Sequence, residues 1–338
     1  MEEALIGSDE LEKFYQKKFY FSYSGLNKLL YSPAMFYNHY VLNQREDSTD
    51  PHLVGGRVLH CLLFEPEKYD DYFISLPGKL PTDSQREIID NIFKQHLNIK
   101  NNSLTLEDYS QDILTELLTT NLYQSYKTDQ QRLDKILTKE NKEYFEFLKK
   151  SQDKAVVDQP TLDGCKVQVD ILKSNSDVRA LLQLDKTDED THIEVHNELH
   201  HKMDHEKLQF GLHGVIDNIV IDKESKTLFI NDLKTTGKSI QDFPDAIEYY
   251  KYWIQAAIYF ILAADKFLKD LPDAETWDIK VTFIVIDKYN LVYPFQVSDK
   301  TMRIWGEDFQ EVIAVANWHY INKRYDLPYD LAKGDFKL

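Results

Sequence analysis

The sequence predicts an α/β protein in which helices flank a mixed central sheet. Three observations carry this. Segments of helical and strand period follow one another in the order helix, helix, strands, helix, strands, helix. Two pairs of apolar, β-rich segments, 212–221 with 227–235 and 279–286 with 291–296, are each joined by a polar turn. No internal repeat or low-complexity linker divides the 338 residues, so one domain is expected, with 83–150 as a helical insertion within it.

The elements follow in chain order. Residues 21–42 read as helical, with Ser22 or Ser24 as N-cap and a break near Ser32-Pro33. Residues 43–51 form a polar loop, and 54–64 a short, strongly apolar helix that ends near Pro66. A strand is expected at 72–76, followed by a loop marked by Pro77, Gly78 and Pro81. The charged stretch 83–150 has helical period, with a looser polar patch at 98–103, and reads as a solvated elaboration of the fold. A helix over 165–183 breaks near Asn175. Strands are expected at 191–199 and 207–221, and the partner of the second ends at Thr236. One long helix covers 245–268, and another, at 301–322, closes the chain.

Composition narrows the function. An apolar fraction of 42%, with 21 Tyr and 18 Phe, supports a sizeable core. The net charge of −17 argues against a protein coated in basic surface, so any grip on nucleic acid is confined to one face or channel. Cys61 and Cys165 stand far apart and outside any C-x-x-C pattern, which speaks against structural zinc or an iron–sulfur cluster and for a reducing compartment. Met1-Glu2-Glu3-Ala4 lacks a signal-peptide pattern, and no apolar run approaches membrane-spanning length. A cytoplasmic protein with no membrane contact is expected.

The first hairpin carries the strongest chemical signal, Gly214-Val215-Ile216-Asp217 with Asp232-Leu233-Lys234. Centring its loop between Glu224 and Ser225 sets Asp217 and Asp232 opposite each other. Such partners have Cβ atoms roughly 4.5–5.5 Å apart. Lys234 points the same way as Asp232. Two adjacent carboxylates repel unless a cation lies between them, and a hard divalent ion with oxygen ligands answers this. A pair of solvated acids at a strand edge is the plainer alternative. The apolar neighbours Val215, Ile216, Ile219, Ile230 and Leu233 weigh against it, because buried unpaired acids are costly.

Other residues join as candidates. Gly56 and His60 share one helix face, and His60 sits among apolar neighbours, as a ligand or a satisfied core histidine. Gln255 and Tyr259 lie one turn apart on the same face, where they can donate to phosphate oxygens or serve as surface polar groups. Ser22, Tyr23 and Ser24 open a helix, which makes either a phosphate site or an ordinary cap. The dense histidines His192, His196, His200, His201, His205 and His213 have no cysteine among them and are read as no metal site.

In order along the chain, G-x-x-x-H, G-x-x-D, D-x-K and Q-x-x-x-Y resemble the PD-(D/E)XK nuclease superfamily, in the branch of RecB-type and RecE-type exonucleases. Phe21-Ser22-Tyr23-Ser24-Gly25-Leu26 with Ser32-Pro33 and Phe36, and Gly56 through Glu67, resemble the opening segments of RecE-like phage exonucleases. The resemblance covers roughly 20–75 and 150–300; the region 83–150 has no counterpart in it. It implies a restriction-endonuclease-like fold with His60, Asp217, Asp232 and the Leu233 carbonyl as metal ligands. It implies Lys234 as the residue that orients or activates water or stabilises charge, and Gln255 and Tyr259 as support for the site and contacts to the DNA backbone. Glu194 occupies the place where relatives often carry a glutamate. The implied cofactor is Mg²⁺, with Mn²⁺ able to substitute, and no iron–sulfur cluster. The implied activity is digestion of duplex DNA from 5′ ends by a ring-shaped trimer or tetramer, with a single-strand annealing protein, in a phage-encoded recombination system acting in the host cytoplasm. A RecB-like nuclease specific for single strands, and an inactive nuclease-fold module that binds protein, stand as alternatives.

Overall fold

Backbone pairing in this chain centres on a six-stranded mixed sheet. The computed structural model describes residues 8–44, 51–96, 103–205 and 208–334. Met1–Ala4, most of the expected 43–51 loop and the polar patch up to residue 102 lie outside the described residues. The chain divides into two compact units, one from the described residues of Met1–Thr49 and Gln168–Leu338, the other from those of Asp50–Val167.

The first unit opens with α1 (Ser8–Tyr15), β1 (Tyr20–Phe21) and α2 (Tyr23–Tyr31). Ser22 Oγ caps α2 by accepting from the Gly25 N–H at 3.2 Å. Ser32 ends α2 and starts α3 (Pro33–Phe36), as the Ser-Pro pair predicts.

The second unit holds α4 (Pro51–Phe64), α5 (Tyr69–Tyr72), β2 (Phe73–Ser75), α6 (Asp83–Gln95), α7 (Ser110–Thr119), α8 (Asp129–Ile136), α9 (Lys139–Ser151) and β3 (Ala155–Val157). Its β2 and β3 pair in parallel. Amphipathic α6, α7 and α9 bury Ile88, Ile89, Ile92, Ile113, Leu117 and Phe145 in a core of their own. The helix α10 (Gln159–Ser174) begins in this unit.

The chain returns to the first unit through α11 (Ser176–Leu182), whose N-cap Asn175 accepts from the Asp177 and Val178 N–H groups. The break near Asn175 therefore falls where the sequence places it. Strands β4 (Ile193–Asp204), β5 (Gly211–Asp222) and β6 (Thr227–Thr236) follow. Then come α12 (Phe243–Tyr250), α13 (Tyr252–Ala263), β7 (Asp278–Asp287), β8 (Val292–Gln296), α14 (Asp299–Asn322) and α15 (Tyr329–Lys333). The long helix expected at 245–268 is broken at Lys251, which adopts a left-handed conformation with φ of 56°.

Strand β5 organises the sheet. It pairs antiparallel with β4 from Gly211 to Asp222, with no pair at Asp217. Its other edge is shared. Gly211 and Leu212 pair in parallel with β1, and Asn218–Asp222 pair antiparallel with β6. Strand β6 continues in parallel with β7 over its full length, and β7 pairs antiparallel with β8. The parallel β6–β7 pair requires a crossover, which α12 and α13 supply. Phe21, Leu26, Ile216, Ile230, Ile258, Phe283 and Phe309 are among the buried residues of the core between sheet and helices.

Candidate active site at a fork in the sheet

The hairpin register is the one the turn predicts, with Asp222 opposite Thr227 and Asn218 opposite Asn231. The ladder stops there. Asp217 and Asp232 come next, but the β5–β6 ladder does not reach them, while β6 keeps its full pairing with β7. In place of a ladder bond, Asp217 Oδ2 accepts the Leu233 N–H at 2.8 Å. Asp217 and Asp232 thus stand at the mouth of a fork rather than as a ladder pair.

Two rows of polar side chains cross β4, β5 and β6 here. In the first, Asn218 Nδ2 donates to Asn197 Oδ1 and Asn231 Nδ2 to Asn218 Oδ1, both at 2.8 Å. Asn231 Nδ2 also donates to the Leu181 carbonyl of α11 at 2.9 Å. One residue further, Glu198, Asp217 and Asp232 make the second row. Successive strand residues point to opposite faces. The amide row meets α11, whereas the acid row lies beside Tyr259 of α13.

Glu198 is the residue that motif reading missed. It stands across from Asp217, between the pairs Asn197–Asn218 and Leu199–Ile216. Its φ of 47° puts a non-glycine residue in the left-handed region. A carboxylate oxygen of Glu198 and one of Asp217 lie within 4.8 Å of each other. Glu194, the glutamate singled out from the sequence, pairs instead with Ile221 near the turn and forms ion pairs with Lys223 and, at 3.8 Å, His196. The strand register is the signal that finds Glu198, since only that position faces Asp217.

Lys234 forms a buried ion pair with Asp232, and its Nζ lies 5.0 Å from the Tyr252 ring centroid. Burial works against the lysine's charge, but Asp232 and Asp217 outweigh it and hold the ammonium above its ordinary pKa. Gln255 and Tyr259 share a face as expected, with Gln255 Nε2 donating to Tyr259 Oη at 2.8 Å. Gln255 Oε1 is buried and accepts no hydrogen bond from the described residues. Burial first, then Asp232 and Asp217, push the Tyr259 hydroxyl well above its ordinary pKa, so it stays protonated. Gly214 permits the close approach of α13, because a Cβ there would sit 3.0 Å from both Tyr259 and Leu262.

The remaining candidates divide. Asp217, Asp232, Leu233, Lys234, Gln255 and Tyr259 come together in the first unit. Ser22 is engaged as a helix cap, and Ser24 beside it is exposed. Tyr23 reaches inward. Its hydroxyl donates to the Tyr250 carbonyl, and its pKa is raised by burial, then by Tyr252 and Asp232. His60 stands half-buried on α4 of the second unit, with its ring 6.0 Å from that of Phe64. The donor set of the first unit is three carboxylates, two of them at 7% and 1% exposure. Hard oxygen donors in that number suit Mg²⁺ or Mn²⁺ and not a soft metal.

The family model of the PD-(D/E)XK nuclease superfamily matches residues 20–326. No curated protein matches the chain. Among solved structures, that of a candidate exonuclease from Eubacterium rectale covers 100% of this chain and 95% of its own, at 10% identity and a TM-score of 0.43. No helix among the described residues is long and apolar enough to cross a membrane. Mixed sheet, flanking helices and a match across most of the chain agree, and the chain belongs to the PD-(D/E)XK nuclease superfamily, a family of hydrolytic nucleases with DNA as substrate.

Proposed function

We propose that this protein is a Mg²⁺-dependent DNA exonuclease that digests one strand of duplex ends, 5′ to 3′, and leaves single-stranded tails for recombination. The observation that carries the metal-dependent chemistry is the acid row at the fork with Lys234 beside it. Duplex preference, polarity and the recombination role rest on the RecE-like motifs of the sequence.

Asp217, Asp232 and Glu198 would hold the divalent ion, with the Leu233 carbonyl and His60 added on the resemblance alone. When bound, such an ion polarises the phosphodiester and makes a bound water acidic. The residues of the chain do the rest. The Leu233 N–H fixes the orientation of Asp217. Lys234, held as a cation, faces charge that builds on the phosphoryl oxygens and is not free to take a proton. Tyr259 keeps its proton and receives a hydrogen bond from Gln255, so its own O–H is available to a carboxylate or to a phosphate oxygen.

An acidic chain holds DNA poorly as a monomer. A homotrimer or homotetramer ring, with its few basic residues on an inner channel, is therefore part of the proposal, as are a cytoplasmic setting and a single-strand annealing partner. A second reading, a RecB-like exonuclease specific for single strands, is favoured by the exposed Tyr249 and Tyr250 near the site. End-labelled duplex carrying a 5′-phosphate, set against the same strand alone, with Mg²⁺ or EDTA, separates the two. Release of nucleotides from the duplex only with Mg²⁺ supports the first reading. Attack on the single strand alone replaces it with the second. Light scattering that shows a strict monomer removes the ring.

A further inference from the structure

We infer that Tyr249 and Tyr250 form a platform on which unpaired nucleobases of the substrate strand stack beside Lys234. The inference rests on the nuclease reading and adds what the strand must look like at the site.

Three rings make a column. Phe243, buried at 1% exposure, lies against Tyr252 with 6.1 Å between centroids and 24° between planes. Tyr252 lies against Tyr250 at 5.5 Å and 29°. Tyr250 is 48% exposed, so the column runs from the core and ends in solvent. Tyr249, 80% exposed, stands at 90° to Tyr250 with 4.9 Å between centroids. The two make a floor and a wall. A flat, uncharged, π-faced group is what would extend the column, and aromatic rings prefer such offset stacking.

The platform is held in place. Lys251 turns the chain between α12 and α13 in the left-handed region, and its N–H returns to the Glu248 and Ile247 carbonyls. The Tyr250 carbonyl accepts from the Tyr23 hydroxyl and, at 3.5 Å, from Asn27 Nδ2. A non-glycine residue is strained in that region, and these contacts hold it there. The platform also adjoins the chemistry, because Lys234 Nζ sits 5.0 Å from the ring of Tyr252, the middle member of the column.

Charge favours stacking as the mode of grip. The chain carries a net −17, and α12 adds Asp245 and Glu248 near the platform. Counterion release from phosphates is weak for such a protein. Stacking on aromatic faces is indifferent to charge and serves any base. Interior base pairs of a duplex are covered on both faces, so only an end or an unpaired strand offers a base face to the platform.

The test reads binding in EDTA, independent of hydrolysis. Anisotropy of a labelled oligodeoxythymidine is compared with that of an abasic strand of equal length. Wild type binds the base-bearing strand more tightly. The double substitution Tyr249→Ala with Tyr250→Ala weakens that binding about ten-fold and leaves the abasic strand unchanged. Tyr249→Phe with Tyr250→Phe retains wild-type binding, which controls for folding. Equal binding of the two strands by wild type, or an equal loss on both in the alanine variant, overturns the platform. If instead the chain cuts no DNA yet binds bases in this way, the nuclease reading fails and the platform stands.

Discussion

The row Asn197–Asn218–Asn231 and the row Glu198–Asp217–Asp232 cross the same three strands one residue apart. Asn218 and Asn231 are almost wholly buried, and so are Asp217 and Asp232. The amides bond to one another across the strands, and Asn231 donates onward to Leu181. The acids stand together where the ladder has opened, with the Leu233 N–H and Lys234 directed at them. Burial alone therefore does not mark a functional row. What separates the two is that the acid row gathers negative charge and the amide row gathers none, and that Glu198 in the acid row is left-handed.

The sharpest way to break the contrast is Asp232→Ala. Hydrolysis is expected to vanish. The variant also leaves the Lys234 ammonium buried without its partner, at a cost of about 3–5 kcal/mol. Denaturant unfolding in EDTA measures that loss, and a variant as active as wild type removes Asp232 from the site. Lys234→Ala comes next, with a rate reduced on the order of 10²-fold or more while metal binding survives in calorimetry. Loss of metal binding with normal turnover would reverse the role given to Lys234.

Asn231→Ala probes the other row. It strands the Asn218 and Leu181 oxygens, and a fall in stability of about 1–3 kcal/mol is expected with turnover near wild type. A collapse in turnover without a change in stability would erase the distinction between the rows. The smallest effect is expected from Glu198→Gly. Glycine accepts the φ of 47° without strain, so stability is expected to rise by up to about 1 kcal/mol while activity falls. A lower melting temperature would show that the side chain holds the strand rather than serving the site.

Much of this was legible beforehand. The turn at Asp222–Thr227 and its register follow from a polar loop between two apolar runs. The pairing of Gln255 with Tyr259 follows from helical spacing alone. Three features were not legible, each for a physical reason. The ladder stops short of Asp217, and the same edge of β5 goes on to pair with β1 at Gly211 and Leu212, a parallel partner distant in sequence. Glu194 follows from its place in the family pattern, whereas the β4–β5 register, which the sequence does not state, sets Glu198 across from Asp217. The break at Lys251 has no glycine or proline to announce it, and tertiary contacts from Tyr23 and Asn27 hold it.

The central claim is that the acid row, and not the amide row, is a metal centre. Calorimetric titration of Mn²⁺ into wild type, Asp217→Asn and Asn231→Ala tests it most directly. Saturable binding to wild type is expected, retained in Asn231→Ala and lost in Asp217→Asn, a change that removes the charge and keeps the shape. Unchanged Mn²⁺ binding in Asp217→Asn would contradict it.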